Sequence, residues 1–592
     1  MHSKTILHRL TAIALILVMT LSLMTGCGGD SSKPEETTKP SVDETTKPEA
    51  SEPQKEEVKE EVKEEVKEEV KEEVKEEPKP SVDQYPNNPK VEIDLGTVIG
   101  LKKSSKEGVM IETYKGIPFG KFDKRFDNAY MYQDALDVFV ATEAGPLSYQ
   151  SQSGNLENEY DCLNLDIWTP AKRGDELLPV YVFFHGGANT SGSSGSASYD
   201  MLNVADDGIV CVSINYRLGA HGFSAFQLDD GTIIANQAMS DMVVGLEWVQ
   251  KYVSAFGGDP KQVTIGGQSA GAFNVSYLVN SPAASGLFNR AIMESGGDFG
   301  MTMEEAIQLT MDYAAYVSRK EVTSSQQAYE ILSKYKATSL ATKYTYRLDG
   351  TNFTVFNAYP ACDGVYLASD PLTNLGTETC NNVDILVGQN ANEHAMYTNY
   401  IYPQSSKQFN FFVETYCGEQ YIEPMREFYE VTDAFTKNDY RAIIGSFGNI
   451  SFLYDSYIIA DKLADAGKNV FMYHFNYGKD NVDEKFDLSK DTRVSATHNS
   501  ELAFVYKSRD RNLNAAGMAL INEMHTAWTN FIKYGDPNGE SGDALAVAWP
   551  KYDSDSKSMI FYDQVTSVGT LKDTVQMPVL QKVFEIMYNY KF

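Results

Sequence analysis

The stretch that decides the fold is Val263-Thr-Ile-Gly-Gly-Gln-Ser-Ala-Gly-Ala-Phe273. Its pattern predicts a strand, a tight turn and the start of a helix, with Ser269 in the turn. Gly267 and Gly271 stand two residues before and two residues after the serine, where side chains would strike the neighbouring strand and helix. Such a turn exposes the serine hydroxyl at the amino end of a helix, where backbone donors converge. The stretch therefore predicts that Ser269 is a nucleophile.

Short apolar runs and helical patterns alternate on both sides of this stretch. Each run is followed by a Gly, an Asn or a polar turn, which favours an α/β sheet whose central strands are covered on both faces. The strands predicted in this way are Val180–Phe184, Ile209–Ile214, Val263–Ile265, Ala291–Met293, Asp384–Val387 and Val470–Tyr473. Because active-site groups in such sheets lie where strands end, we look for the partners of Ser269 in the turns that follow.

A serine hydroxyl needs a base within hydrogen-bond reach and an acid that orients the base. The chain has eight histidines. Two of them lie in the first ten residues, and His185 opens a Gly-rich turn in which we expect it to have a steric role. The remaining candidates for the base are His221, His394, His474, His498 and His525.

Further motifs occur in a fixed order along the chain. They are Tyr114-Lys-Gly-Ile-Pro-Phe119, Asp161-Cys-Leu163, Trp168-Thr-Pro170, His185-Gly-Gly187, Asn215-Tyr-Arg-Leu-Gly219, Phe256-Gly-Gly-Asp-Pro260, Ser281-Pro282, Gly286-Leu-Phe288, Trp528-Thr-Asn-Phe531 and Gly535-Asp-Pro-Asn538. From about residue 113 to 552 the chain thereby resembles the type-B carboxylesterase family, which also contains the cholinesterases. The resemblance implies the α/β-hydrolase fold: a central, mostly parallel, twisted sheet flanked by helices, with helical insertions at about 299–382 and 397–464 that form a substrate gorge.

The resemblance also implies the partners of the nucleophile. His498, in Thr497-His-Asn-Ser-Glu-Leu-Ala-Phe-Val-Tyr506, corresponds to the base, and Glu393, in Gly388-Gln-Asn-Ala-Asn-Glu393, corresponds to the acid. The order Ser269, Glu393, His498 is the order expected of this fold. His394 stands where the family has a glycine after the acid, so the local backbone there departs from the usual pattern.

Acyl transfer builds negative charge on a carbonyl oxygen, which fixed backbone N–H groups can stabilise. By resemblance these donors are the N–H groups of Gly187, Ala188 and Ala270. Ala188 replaces a more common glycine and Asn189 replaces an aromatic residue. Gln268 stands where many relatives carry Glu, so a cationic, choline-like substrate loses one attraction. These departures make a cholinesterase-like specificity less expected.

The reaction implied is two-step hydrolysis of a carboxylic ester through an acyl-enzyme, without a metal or another cofactor. The substrate class is a small-molecule or polymer-linked ester. Two alternatives remain: a non-catalytic surface binding module, as in family members that have lost the triad, and a serine hydrolase of amides or acylated polysaccharides. The formal net charge of -31 argues against nucleic acid as a partner. The sequence does not indicate an oligomeric state.

The amino terminus predicts an export signal. A basic start from Lys4 to Arg9 precedes an apolar run, Leu10 to Leu23, and then Met24-Thr-Gly-Cys27. The run is too short to favour a membrane-spanning helix. Small residues directly before a cysteine resemble the bacterial lipoprotein box, so we expect residues 1–27 to be a lipoprotein signal peptide and Cys27 to be lipidated. The alternative is an ordinary cleaved signal. Lipidation would place the protein on the extracellular face of the bacterial cell membrane, anchored only by the lipid.

Residues 28–88 form a predicted acidic linker rich in Pro, Glu and Lys, which has too few apolar residues for a core. Val-Lys-Glu-Glu recurs within it, with valines at 58, 62, 66, 70 and 74. This repeat favours a stiff helical spacer or a disordered charged stalk equally. Residues 89–592 form the predicted catalytic domain. Its cysteines match no metal-site spacing, and we expect most of them to be free, buried thiols.

Overall fold

The computed structural model describes residues 80–574 together with 582 and 586, except for 151–157, 173, 175, 298–299, 342–344, 349–350, 355–357, 382, 396–405, 408, 411–412, 414–418, 433, 436, 482–494 and 509–512. The predicted signal peptide, Cys27 and the Val-Lys-Glu-Glu repeats lie outside the described residues. A short 3-10 helix, Val82–Gln84, lies at the end of the segment predicted as linker. The first strand follows at Lys90–Ile93.

The central sheet has 11 strands. In chain order they are β1 (Leu101–Ser104), β2 (Met110–Pro118), β3 (Asn164–Pro170), β4 (Leu178–Phe184), β5 (Val210–Ile214), β6 (Gly258–Gln268), β7 (Arg290–Glu294), β8 (Asp384–Asn390), β9 (Val470–Phe475), β10 (Ser558–Tyr562) and β11 (Ser567–Thr570). Their order across the sheet is β11-β10-β9-β8-β7-β6-β4-β5-β3-β2-β1. The strands from β10 to β5 in this order run parallel, and both edges are antiparallel. Each predicted strand belongs to this sheet, so the prediction of a mostly parallel central sheet is confirmed.

Two hydrophobic cores lie on the two faces of the sheet, because side chains alternate along each strand. In β4, Val180 and Val182 belong to one core, and Tyr181 and Phe183 belong to the other. This alternation explains why the run Val180–Phe184 is continuously apolar: both of its faces are covered.

Helices cover both faces. They are α1 (Leu202–Asp206), α2 (Gly219–Phe223), α3 (Gln237–Tyr252), α4 (Ala270–Val279), α5 (Met303–Ser318), α6 (Ser325–Lys334), α7 (Ala337–Leu340), α8 (Pro371–Asn374), α9 (Ile422–Phe428), α10 (Lys437–Asp465), α11 (Leu502–Val505) and α12 (Ala515–Tyr534). The ends of α12 follow from its sequence: the Asn514 side chain accepts a hydrogen bond from Gly517 N at 2.9 Å, and Gly535 ends the helix with a φ of 73°. None of the helices in the described part has the length and apolar composition needed to span a bilayer.

Both predicted insertions contain helices. Helices α5 to α8 lie in the first insertion, and α9 and α10 lie in the second. The first insertion also contains a small hairpin of Thr345–Leu348 and Thr351–Thr354. The remaining short strands are Gly96–Ile99, Gly120–Lys121, Tyr130–Met131, Asp137–Val140, Phe226–Gln227, Ile233–Ile234, Met301–Thr302 and Ala361–Cys362. The first insertion follows β7 and the second follows β8. Both therefore begin at the carboxyl edge of the sheet, where the turn with Ser269 also lies.

Candidate active site

Ser269 lies in the turn between β6 and α4, with φ 58° and ψ -130°. A positive φ is costly for a residue with a side chain, and the close packing of the turn enforces it. A Cβ atom on Gly271 would lie 2.0 Å from the carbonyl oxygen of Phe184, and one on Gly267 would lie 2.4 Å from the carbonyl oxygen of Gly271. The sterically based prediction that only glycine fits at these two positions agrees with the structure. The backbone thus bends sharply at Ser269.

His498 and Glu393 form a hydrogen-bonded pair, with 2.6 Å between Nδ1 of the histidine and Oε2 of the glutamate. Both side chains are buried. Their loops meet because the N–H of Asn392 donates to the carbonyl oxygen of Ala496 at 2.8 Å. Since Nδ1 donates its proton to the carboxylate, Nε2 of His498 is the ring nitrogen with the lone pair and can act as a base. The structure thus brings together the predicted base and the predicted acid.

The other carboxylate oxygen of Glu393, Oε1, accepts two further hydrogen bonds. The donors are the Ser295 hydroxyl and the backbone N–H of Asn390, each at 2.6 Å. Three donors fix the orientation of Glu393. Ser295 was not identified from the sequence, although its position directly after the predicted strand Ala291–Met293 marked the turn that carries it.

Two more side chains adjoin the ring of His498. The ring of Phe452, on α10, lies 5.0 Å from the imidazole, measured between ring centroids. The amide nitrogen of Gln268 lies 3.2 Å from Nε2 of His498. Gln268 directly precedes Ser269. The predicted base therefore lies at the carboxyl end of β6, next to the turn that carries the serine. From the resemblance, Gln268 was notable only because it lacks the negative charge of the Glu found in many relatives. Its contact with the predicted base is a finding of the structure.

The Gly-rich loop after β4 has an unusual backbone. Gly187, Ala188 and Asn189 have φ values of 117°, 57° and 54°. A Cβ atom on Gly186 would lie 3.1 Å from Cβ of Ser269, which shows how closely this loop approaches the nucleophile. Among the described residues, no acceptor is hydrogen-bonded to the backbone N–H of Gly187, Ala188 or Ala270. The three predicted oxyanion donors are therefore available to a ligand.

Tyr216 and His185 hold this loop in place. The Tyr216 hydroxyl donates to the carbonyl oxygen of His185 at 2.7 Å and lies 3.1 Å from Oδ1 of Asn189. The rings of His185 and Tyr216 stack with their centroids 4.5 Å apart. Burial lowers the pKa of His185 to about 4, so the imidazole is neutral at physiological pH. The expected steric role of His185 agrees with this packing.

Among the other candidate histidines, His394 directly follows Glu393 in the chain. His221, His394, His474 and His525 are all buried. His474 Nδ1 lies 2.8 Å from the Gln389 amide nitrogen, and His525 Nε2 lies 2.6 Å from an oxygen of Asp207. Of the five candidates, His498 is the one that is hydrogen-bonded to Glu393.

The described residues contain no cluster of three or more His, Cys, Asp or Glu side chains that could hold a metal ion. Four cysteines of the described part, Cys162, Cys211, Cys362 and Cys380, are free thiols. Burial raises the pKa of Cys162 to about 12, which keeps it protonated. Ser269 therefore remains the predicted nucleophile.

The site combines a strained serine at a strand-to-helix turn, a buried glutamate–histidine pair and backbone donors beside the serine. This is the geometry of an α/β-hydrolase serine enzyme. The family described as Carboxylesterase family matches residues 87–577, and the chain belongs to this family. Over 511 residues the chain is 30% identical to carboxylesterase 1C of Mus musculus, an alignment that covers 78% of this chain and 88% of the relative.

Other relatives have more specialised names. The chain is 28% identical to juvenile hormone esterase of Tribolium castaneum, covering 76% of this chain and 84% of the relative. It is also 28% identical to a medium-chain fatty acyl-CoA hydrolase precursor of Anas platyrhynchos, covering 80% and 88%. Among solved structures, a PNB esterase superposes with a TM-score of 0.67 and 25% identity, covering 83% of this chain and 100% of that chain. The protein is a carboxylic ester hydrolase with the α/β-hydrolase fold.

Proposed function

We propose that the protein hydrolyses carboxylic esters in two steps, through an acyl-enzyme formed on Ser269. The hydrogen-bonded pair of His498 and Glu393 beside the strained serine is the observation that carries this proposal. The same pair speaks against a non-catalytic binding module, because such a module has no use for a buried, oriented imidazole.

Each group has one role in the proposed reaction. Nε2 of His498 accepts the proton of the Ser269 hydroxyl as the serine oxygen attacks the ester carbonyl, and the leaving alcohol then takes that proton. The N–H groups of Gly187, Ala188 and Ala270 stabilise the negative charge on the carbonyl oxygen. Water hydrolyses the acyl-enzyme by the reverse proton transfer, and Glu393 stabilises the imidazolium in both steps.

The substrate class that we propose is a small-molecule or polymer-linked ester. The relatives carry names as different as juvenile hormone esterase and fatty acyl-CoA hydrolase, so kinship does not select one acyl or alcohol group. Gln268 is uncharged, which removes one attraction for a cationic alcohol next to the reacting centre.

The test is labelling with a fluorophosphonate together with a panel of esters that differ in acyl and alcohol parts. We expect one equivalent of label on Ser269 and hydrolysis of short-chain aryl esters. Ser269→Ala should abolish both. Label that persists in this variant would place the nucleophile elsewhere, and rapid hydrolysis of amides or acylated polysaccharides with inert simple esters would favour the alternative substrate class.

We further propose that Cys27 carries a lipid and that the protein is anchored on the extracellular face of the bacterial membrane. The apolar run followed by Met24-Thr-Gly-Cys27 supports this location, and residues 28–88 would hold the enzyme away from the surface. Mass analysis of the mature amino terminus should find a lipidated Cys27. An unmodified first residue at another position would refute the anchor and leave the hydrolase function intact.

A further inference from the structure

Three buried glutamates lie below the nucleophile. Glu294 ends β7, Glu393 follows β8, and Glu501 precedes α11, three residues after His498. All three have no exposed surface. Glu294 pairs in register with Gly388, and Gly388 pairs with Tyr473, whose ring packs where a side chain at position 388 would lie. The proposed reaction uses Glu393 alone.

The hydrogen-bond donors are divided unequally among the three carboxyl groups. Glu393 accepts three hydrogen bonds, as described above. Glu501 accepts one from the side-chain amide of Asn390, and its own backbone N–H and the Ser295 hydroxyl favour its anion to a smaller extent. Glu294 accepts one from Trp528 Nε1 at 2.9 Å. Oε1 of Glu501 and Oε2 of Glu294 have no hydrogen-bond partner among the described residues. An ionised carboxylate without exposure to water needs more donors than this, whereas a neutral acid does not.

The described ion pairs include Glu393, which pairs with His498, but neither Glu294 nor Glu501. Burial and the negative charge of Glu393 raise the pKa of Glu501 to about 8. Burial and then Glu501 raise the pKa of Glu294. The titratable groups that face Glu501 are Glu393, Glu294, Tyr473 and Tyr199, with His498 on its own segment.

We propose that Glu501 and Glu294 are neutral carboxylic acids in the working enzyme, and that Glu501 is a positioning residue whose proton keeps His498 seated against Glu393. Asn390 connects the two sites: its backbone N–H binds Glu393, and its side-chain amide binds Glu501. If Glu501 lost its proton, two buried anions would face each other across Asn390. The repulsion would displace the short segment that carries both Glu501 and His498.

Infrared spectroscopy of the full chain tests the protonation state directly, without any need for activity. The wild-type protein should show the carbonyl stretch of buried carboxylic acids at about pH 6, and part of that band should disappear at about pH 10. Glu501→Gln should lack the pH-sensitive part. Glu523→Gln is the matched control, since Glu523 is a partly buried glutamate bonded to Thr566, outside the cluster. A wild-type spectrum without a carboxylic acid band would overturn the proposal, even if the variants fail to fold.

Thermal unfolding gives a second readout that does not depend on hydrolysis. The pKa of Glu501 is raised from 4.5 to about 8, so the folded state holds a proton that the unfolded state releases between these values. The contribution of Glu501 to stability is therefore lost as pH rises through this window. The melting temperature of Glu501→Gln should rise relative to that of the wild type as pH increases through this window. Above the window, the difference between the two melting temperatures should stay constant. A difference that does not change with pH would contradict a neutral Glu501.

The kinetic readout rests on the proposed function. For an ester substrate, kcat of the wild type and of Glu523→Gln should fall on the alkaline side as Glu501 ionises. Glu501→Gln, which imitates the neutral acid, should keep its kcat over that range. An alkaline limb identical in Glu501→Gln and wild type would refute the positioning role. Absence of any hydrolysis or labelling, with the infrared band present, would instead refute the proposed function.

Discussion

The side-chain amide nitrogen of Gln268 lies 3.2 Å from Nε2 of His498, the nitrogen that receives the proton of Ser269 in the proposed reaction. Because Nδ1 of the imidazole donates to Glu393, Nε2 carries a lone pair, and the amide of Gln268 donates to it. This hydrogen bond competes with the serine hydroxyl for the same lone pair. Gln268 therefore contacts the atom on which the proposed proton transfer depends.

Replacing this donor by an acceptor should strengthen the base. In Gln268→Glu, a carboxylate beside the ring would favour the imidazolium, and we expect the acidic limb of the kcat/KM profile to move to higher pH by about one unit. Gln268→Met removes the donor without adding charge and serves as the control. An acidic limb shifted equally in both variants would contradict an electrostatic effect.

The same variant tests the substrate electrostatics. With a carboxylate at position 268, a quaternary ammonium ester should gain in kcat/KM over its neutral tert-butyl isostere, relative to the same ratio in the wild type. The comparison of two isosteres cancels the effect on the base, since both esters are attacked by the same serine. An unchanged ratio would mean that the alcohol group does not reach position 268.

Ser295→Ala should lower kcat by about tenfold to a hundredfold, because a hydrogen bond to a charged group contributes about 1.5–3 kcal/mol and about 1.4 kcal/mol corresponds to a factor of ten. The Ser295 hydroxyl is one of three donors that orient Glu393. Ser318→Ala is a suitable control, since the Ser318 hydroxyl donates to a backbone carbonyl on α5. Equal rates for the two variants would show that two donors suffice for Glu393.

Tyr216→Phe should lower kcat by about tenfold and leave KM nearly unchanged, because correct placement of oxyanion donors matters most in the transition state. The lost hydroxyl anchors the carbonyl oxygen of His185 and faces Asn189, and both residues belong to the oxyanion loop. Tyr313→Phe is a matched control that removes a buried hydroxyl bonded to the Leu340 carbonyl. A rise in KM with unchanged kcat would indicate that the loop binds substrate only.

The sequence predicted the parts of the fold and site that depend on local chemistry. The glycines around Ser269 and the buried parallel strands are local patterns, and the structure contains both. The antiparallel edges were not predicted: β1 has a short, half-exposed and partly polar sequence, which carries no strong strand signal. A segment that shows neither a hydrophobic period nor a turn signal cannot be assigned to a strand from its sequence.

The partners of Ser269 needed more than local patterns. Glu393 and His498 are 105 residues apart, and Ser295 and Glu393 are 98 apart, so their contacts arise only when β7, β8 and the loop before α11 come together. The resemblance to a family supplied the first pair through its motifs. It did not supply Ser295, Asn390 or Glu501, because a supporting contact depends on side-chain packing that a short motif does not encode.

Acid should destabilise the protein through its buried histidines. Burial, and to a smaller extent the charge of Lys479, lowers the pKa of His474 from 6.5 to about 3. Between these two pKa values the unfolded state binds a proton at His474 and the folded state does not. The contribution of the neutral His474 to the free energy of unfolding is therefore complete above pH 6.5. It is lost as pH falls, by about 1.4 kcal/mol per pH unit.

His474→Asn keeps an acceptor for the Gln389 amide and cannot titrate in this range. Urea unfolding between about pH 4 and pH 8 should show an acid slope that is smaller by one proton for this variant. The remaining slope contains the other buried histidines and, with the opposite sign, Glu501. Parallel slopes for variant and wild type would mean that His474 gains solvent or a partner before the chain unfolds.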